Sequence, residues 1–406
     1  MKNRLGYLSA APRVSTRPEA EASGPRVHVL GVMKAFEAID WQVKPFIVGD
    51  RVPRQWVSKG SEQMLRSGLC TLAADLVRLC MGVVNAHRAW QELGGQVDWV
   101  YERLATLQSL GWIFKLHSVP WILETNAPLF YEAEAERKSL VLTKLARWIE
   151  VQAYRKSDVL VCTSEALREI VVEELGIQPQ KVMVVPNGVD TEYIAPERYE
   201  TKRLFTSFTV GFVGNLSAWQ GLDLLLKSLH ALRAEGLDIC LVVVGDGPMR
   251  QEWESLTHNL GLTDSVRFLG RLVQDELLPL IAGFDVGYSG HLDLDGKKIY
   301  RSPLKLYEYM AMAKPVVSSV VEDVRSLVRE GETGFLFSPG DLEGIKQALR
   351  KAYNAQEQLL EMGCKARAEV VANHSWIARM QTLIEGVNQI LKVEQTVMEQ
   401  LYTLSL

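Results

Sequence analysis

Ser302-Pro303-Leu304-Lys305-Leu306-Tyr307-Glu308-Tyr309-Met310-Ala311-Met312-Ala313-Lys314-Pro315-Val316-Val317 decides how the rest of the chain is read. Ser302 is placed to cap a helix whose first residue is Pro303, which lacks an amide hydrogen and already has a helical φ. The free amides of Leu304 and Lys305 then point out of the N-terminus, where the helix dipole favours an anion, and Lys305 adds a full positive charge. Glu308 lies one turn beyond Leu304, near enough to the same mouth to accept from a pair of sugar hydroxyls. The helix ends near Ala313, and Pro315–Ser318 reads as a buried strand. An ordinary capped helix accounts for Ser302, Pro303 and the apolar positions. It does not account for Lys and Glu sharing one end, whereas a nucleoside-diphosphate sugar needs both a phosphate clamp and a hydroxyl acceptor.

Working outward, strand-like and helix-like segments alternate along almost the whole chain, the pattern of parallel βαβ units. In the first half, Arg4–Ser9, Val43–Val48, Asp98–Tyr101, Pro120–Glu124, Asp158–Cys162 and Lys181–Val185 read as strands. Val27–Ile39, Leu65–Trp90 and Ala133–Lys156 read as helices, and the aperiodic Ala10–Pro25 as a mobile loop. Pro186-Asn187-Gly188 is a turn, and Pro196–Ser207 looks like a linker. A second series follows, with strands at Phe208–Val213, Ile239–Val244, Val266–Leu269, Asp285–Tyr288 and Pro315–Ser318. The segment from Ser375 to about Leu401 has helical periodicity and is expected to return to the first half.

A chain of 406 residues is too long for one ordinary core, so about two domains are expected. With 47% apolar and 23% charged residues the composition is globular, and a net charge of −4 argues against a nucleic-acid binder. The cysteines Cys70, Cys80, Cys162, Cys240 and Cys364 form no Cys-x-x-Cys pair and read as buried, reduced thiols of a cytoplasmic protein. The run Leu69–Val84 is interrupted by Asp75 and Arg78, so no membrane span is expected. The reading is α/β: residues 1–199 plus a returning helix 376–406 as one Rossmann-like domain, and residues 200–375 as a second. Two such domains facing each other leave a cleft at the carboxyl ends of both sheets, where these folds bind ligands.

In the second half, glycine-bearing strand ends converge on the expected crevice. Gly214-Asn215 ends one strand and Gly245-Asp246-Gly247 the next, each allowing a close backbone approach that a Cβ would exclude. Leu269-Gly270-Arg271 and Ser302–Glu308 follow at the expected spacing. Together with Val185–Asp190, Gly221-Leu222-Asp223 and Gly331-Glu332-Thr333-Gly334-Phe335, this ordered set resembles the retaining glycosyltransferases of family four. The resemblance implies the GT-B architecture and hexosyltransferase-type chemistry, with a nucleotide-sugar donor on the C-terminal domain and an acceptor on the N-terminal one. It also implies that Glu308 binds ribose and that the amides around Leu304 and Lys305 bind diphosphate. The retaining mechanism is likewise implied: the departing phosphate oxygen takes the acceptor proton, and no protein nucleophile is required.

Three positions depart from the commoner pattern. Tyr300 stands where many members carry Glu, Gln220 stands where a Lys usually precedes the helix-starting glycine, and Glu124-Thr125-Asn126-Ala127-Pro128 replaces a segment with the expected His. A subgroup with Ser-Pro-x-Lys and Glu-x-Asn-Ala-Pro segments shows similar replacements. The cations Lys297, Lys298, Arg301 and Lys305 lie in or beside one loop, where Arg301 and Lys305 are candidates to stabilise the leaving diphosphate. Donor-side candidates are Gly24, Gly214, Asn215, Gly245, Asp246, Gly247, Arg271, Ser302, Pro303, Leu304, Lys305 and Glu308. On the other half, Glu124 and Asn126 are candidates to orient the acceptor hydroxyl or the transferred sugar. His28, Glu102 and Arg103 are acceptor candidates, with a Glu102–Arg103 ion pair as the structural reading. Asp293-Leu294-Asp295 looks like a metal-binding tripeptide, but a cationic phosphate site makes a metal unnecessary, so neither metal nor cofactor is expected.

Two other readings stay open: a non-catalytic glycosyltransferase-like subunit, and another GT-B enzyme such as a nucleotide-sugar epimerase. The acceptor class is a glycan, a lipid-linked sugar or a small molecule. Arg13, Arg17, Arg26, Lys34, Arg51, Arg54, Lys59 and Arg66, with Trp41 and Trp56 among them, suit at most a weak, salt-sensitive contact with a membrane surface.

Overall fold

The computed structural model describes residues 3–20, 23–53, 68–133, 140–292 and 304–404, and the side chains of these except 322, 323 and 394–404. The chain divides into two compact units, residues 1–186 with 379–406, and residues 187–378.

The first unit is built on a six-stranded sheet of order β2-β1-β3-β4-β5-β6. Its strands are β1 (Arg4–Ser9), β2 (Gln42–Ile47), β3 (Trp99–Arg103), β4 (Trp121–Thr125), β5 (Val159–Cys162) and β6 (Val182–Val184). Every pairing is parallel. The helices are α1 (Gly24–Ala38), α2 (Gly68–Leu93), α3 (Trp112–Leu116), α4 (Leu129–Tyr131), α5 (Thr143–Lys156) and α6 (Glu165–Glu169). Because β2 lies on one side of β1 and β3 on the other, strand order reverses beside the ends of β1 and β3, the crevice where such sheets take ligands.

The second unit carries a parallel sheet of order β12-β11-β10-β7-β8-β9. Its strands are β7 (Phe208–Val213), β8 (Ile239–Val244), β9 (Val266–Phe268), β10 (Val286–Ser289), β11 (Val316–Ser319) and β12 (Gly334–Phe337). The helices are α7 (Leu222–Ala234), α8 (Arg250–Asn259), α9 (Gln274–Ala282), α10 (Leu304–Ala311), α11 (Glu322–Leu327), α12 (Leu342–Asn354) and α13 (Leu359–Asn373). Strand β8, Ile-Cys-Leu-Val-Val-Val, is buried along its whole length, as a central parallel strand covered on both faces must be. Side chains alternate across it: Leu241 and Val243 enter one core with Leu225, Leu229 and Trp253, while Val242 and Val244 enter another with Leu306, Tyr309 and Met310. Here the order reverses between β7 and β10.

The last helix, α14 (Trp376–Leu404), begins in the second unit and continues in the first. The amide of Trp376 donates to Val189 O and its ring lies on Gly188, where a Cβ would sit 2.9 Å from the indole. Farther along, Gly386 brings the helix backbone so close to β6 that a Cβ would lie 2.6 Å from Met183 Cε.

Several expectations shift. Ala10–Pro25 is pinned in its described part: Ser15 Oγ and Thr16 N donate to Asp50 at 2.6 and 2.7 Å. The segment read as a linker packs within the second unit, where Arg203 pairs with Asp285 and Glu197 with Arg367. Strand β12, which opens on glycine, and helices α11 and α13 have no counterpart among the expected elements. Helix α5 starts at Thr143 rather than Ala133. Cys162 and Cys240 are buried as expected, but Cys70, Cys80 and Cys364 are exposed.

Candidate functional site

In the second unit, the ends of β7, β8 and β10 converge on the start of α10. Gly214 has φ +154° and Gly245 φ +139°. A Cβ on Gly245 would fall 1.8 Å from Gly214 O, and one on Gly247 would fall 2.5 Å from Leu216 O. Only glycine permits loops packed this closely. Backbone hydrogen bonds lock them together: Gly214 N donates to Val244 O, Leu216 N to Asp246 O and Gly245 N to Gly270 O. Gly221, at φ +63°, opens α7 against Gly290 O, and Leu292 N donates to Trp219 O at 2.8 Å.

Lys305 reaches into this glycine-lined nest. Its side chain is buried, its Nζ donates to Gln220 Oε1 at 2.6 Å, and the ammonium lies 4.2 Å above the centre of the Phe212 ring. A Cβ on Gly214 would sit 3.1 Å from Nζ. Burial pushes the lysine down to about 7, opposed by the charge of Glu308 one turn away. Glu308 is partly exposed at the surface, and desolvation pushes its carboxyl up to about 7 against the pull of Lys305. A desolvated ammonium over an aromatic face, with one neutral partner, gains strongly from an incoming anion. Leu304, Lys305 and Glu308 are therefore brought together with Gly214, Gly245 and Gly247.

Asp246 and Asn215 bond within the loops: Asp246 Oδ1 accepts from Gly247 N at 2.9 Å, and Asn215 Nδ2 donates to Ser217 Oγ. Arg271 is exposed in the loop between β9 and α9. Arg301, Ser302 and Pro303 lie outside the described residues, as do Asp293, Asp295, Lys297 and Lys298. Among the described residues no group of three or more His, Cys, Asp or Glu could hold a metal ion. The residue missed by sequence reasoning is Gln220. It was visible as a departure at a position that usually carries a cation, but its role as the partner of Lys305 needed the fold.

In the first unit, a second cluster forms where its strand order reverses. Glu124, at the end of β4, is buried and accepts from Tyr101 OH and Asn126 Nδ2. His28 Nε2 lies 3.3 Å from the same carboxylate and Arg103 Nε 3.9 Å from it. Helix α1 delivers His28 because Ser23 caps it, with Arg26 N donating to Ser23 Oγ, and Gly24 and Pro25 start its first turn. Burial lowers His28 to about 4, with Glu124 opposing and Arg103 reinforcing that shift. The Tyr7 and Tyr101 rings stack at 5.7 Å under the cluster, and burial raises both phenols well above their ordinary value. The segment after Glu124 is held by Glu150, which accepts from Leu129 N at 2.9 Å, Phe130 N at 3.1 Å and Tyr154 OH at 2.6 Å.

Glu102 is not part of this cluster, and neither is it paired with Arg103. Neighbours in a strand point to opposite faces, so Tyr101 and Arg103 face Glu124 while Glu102 turns away. There it accepts from Leu110 N at 2.6 Å, Gly111 N at 2.8 Å and Ser109 Oγ at 3.2 Å, a structural role. Gly24 is exposed at the first residue of α1.

Residues 207–355 match the family model described as glycosyl transferases group 1, and residues 78–193 match that of glycosyltransferase family 4. The chain is 30% identical over 301 residues to a D-rhamnosyltransferase of Pseudomonas aeruginosa, covering 70% of this chain and 72% of that one. It is 26% identical over 248 residues to a 2-deoxystreptamine glucosyltransferase of Streptomyces kanamyceticus, 59% of each chain. The match thus spans less than two thirds of that relative's length. Among solved structures, a sucrose-phosphate synthase from Thermosynechococcus elongatus superposes with a TM-score of 0.69 at 16% identity, covering 97% of this chain and 100% of that one. Anabaena HepE, in complex with UDP and glucose, superposes with a TM-score of 0.67 at 17% identity, covering 96% and 100%. Those two likenesses establish the GT-B fold. With both halves matched and a relative at this identity over most of its length, the chain belongs to the family-four, group 1 glycosyltransferases.

Proposed function

We propose that the protein transfers a sugar, with retention, from a nucleoside-diphosphate sugar to an acceptor hydroxyl. The observation that carries this reading is the buried Lys305 ammonium, set against the Gly214 backbone at the start of α10 and flanked by Glu308. The nest has no room for side chains, and a cation that burial penalises is stabilised when a diphosphate arrives. Negative charge developing on the leaving group is met by Lys305 and by the amides at the helix start, a preorganised electrostatic arrangement. Glu308, one turn on, is the acceptor for ribose hydroxyls. A uridine diphosphate sugar is the donor to try first, because HepE was solved with UDP and with UDP-glucose.

The Glu124 cluster is assigned to the acceptor hydroxyl or the transferred sugar, with Asn126 and His28 as its polar edge. Its carboxylate already accepts two hydrogen bonds and faces a cation, so it orients groups rather than attacking carbon. The departing phosphate oxygen takes the acceptor proton in this scheme. No metal is assigned, and turnover in the presence of a chelator tests that directly. The acceptor is a glycan, a lipid-linked sugar or a small molecule bearing a free hydroxyl.

Release of nucleoside diphosphate, followed with and without a panel of acceptors, separates the readings. Acceptor-dependent release with a glycosylated product supports the transferase. Donor binding without turnover is the outcome for a non-catalytic subunit, and an isomerised sugar is the outcome for an epimerase.

A further inference from the structure

Helix α2 is packed with its apolar side outward. Up to Leu93 at its end, its buried stripe is small or polar: Thr71, Asp75, Gly82, Asn85, Ala86 and Ala89. Its exposed face carries Leu69, Leu76, Val77, Met81, Val83 and Val84, with Leu69 79% and Val77 61% accessible. By length and composition this is a helix apolar enough to cross a membrane, yet only 28% of its most apolar window is buried. It cannot cross one as it stands, because its buried stripe is packed into a folded unit: Asp75 accepts from Val141 N at 2.8 Å and Leu142 N at 3.0 Å.

Those same bonds set α5 beside it, and Leu79 packs against Leu140 and Ala146. Helix α5 extends the apolar surface with Leu145 and Trp148, three positions apart on one face, Trp148 being 60% exposed, and Val141 is exposed just before the helix. The exposed charges of Gly68–Arg88 and Thr143–Lys156 have one sign, and the exposed acid farther along α2, Glu92, is paired with Arg51. Lys144, Arg147, Arg155 and Lys156 are exposed on α5, and Arg88 on α2. The acids within Gly68–Arg88 and Thr143–Lys156 are Asp75 and Glu150, and both are buried. An apolar face with an interfacial tryptophan and a rim of cations matches an anionic lipid surface. A second copy would bring like charges together.

We infer that the exposed face of α2 and α5 docks in the plane of an anionic bilayer. This goes beyond the transferase reading and does not rest on it. It also differs from the weak electrostatic contact expected from the N-terminal arginines and tryptophans. Trp41 of that set is buried, Arg51 is paired with Glu92 and Arg26 donates to Arg17 O.

The full chain is sedimented with vesicles of phosphatidylcholine alone and of equal parts phosphatidylcholine and phosphatidylglycerol, at low and high salt. The protein is expected to pellet with the anionic vesicles and to stay largely bound at high salt, since burial of apolar surface is not screened. The double substitution Leu76→Glu with Val84→Glu, and separately Trp148→Glu, should reduce binding at least tenfold while nucleoside diphosphate affinity is unchanged. In the unaltered protein, anionic vesicles should shield Cys80, exposed on this face, from a water-soluble maleimide but leave Cys364 reactive. Absence of pelleting, complete release by salt, or unprotected Cys80 overturns the proposal. So does a solution dimer that Trp148→Glu dissociates, which would make the face a self-interface.

Discussion

Lys305 Nζ donates to Gln220 Oε1 across 85 positions of sequence, and this bond joins the start of α10 to the turn before α7. A position that usually carries a second cation in this family instead holds the first one in place. The consequences can be measured.

Lys305→Met removes the cation while roughly keeping the volume. Nucleoside diphosphate affinity should fall by about 1.5–3 kcal/mol, the range for a charge-assisted hydrogen bond. Calorimetry at pH 6.5 is the measurement, and unchanged affinity would place the diphosphate elsewhere.

Diphosphate affinity should depend on pH through the same lysine. Its pKa in the ligand-free protein is lowered to about 7 by burial, so the ammonium is charged below that value and neutral above it. Binding should therefore take up a proton at pH 8, and weaken as pH rises from 6.5 to 8.5. Gln220→Leu strips the ammonium of its partner and should move this loss to lower pH. Identical profiles in the two proteins would show that Gln220 does not hold the lysine in solution.

Glu308→Gln preserves shape and loses the charge that strengthens hydrogen bonds from ribose hydroxyls. Its carboxyl is raised to about 7 by desolvation, so the wild-type advantage should grow above that pH. Turnover should fall at pH 8 with little change in melting temperature. A collapse of the melting temperature would instead mark Glu308 as structural.

Glu124→Gln leaves the donor nest intact and disturbs His28, Tyr101 and Asn126 together. The expected signature is reduced kcat with unaltered nucleoside diphosphate affinity. Equal loss in both quantities would argue that Glu124 reports on folding rather than on the acceptor.

Glu102 offers a stability test. Burial raises its folded-state pKa to about 7 from 4.5, so between these values the folded protein holds a proton that the unfolded chain releases. Its contribution is full below pH 4.5 and is lost as pH rises through 7. Glu102→Gln should flatten this part of the melting profile, whereas Glu102→Leu should destabilise by about 1–3 kcal/mol at each of the two amides left without an acceptor. Turnover per folded molecule should survive Glu102→Gln.

The alternation of buried runs with amphipathic segments was enough, without coordinates, to mark two parallel sheets, because a strand covered on both faces has to be apolar throughout, as in Ile239–Val244. The glycines at 214, 245 and 247 and the Lys305/Glu308 pair were legible for a similar reason: close backbone approach and helix-end charge are local requirements. The sequence also carried the family, through motifs in fixed order. Tertiary structure alone decided the rest. Which partner Lys305 takes depends on how β7 and β10 lie beside each other, and no local pattern encodes a contact 85 residues away. Glu102 and Arg103 part company because strand register, rather than adjacency, sets which face a side chain meets. Whether α2 shows its leucines and valines to the core or to the outside was likewise beyond reach of its periodicity. An amphipathic pattern names two faces, and only packing, here through Asp75 and the α5 amides, chooses which one is covered.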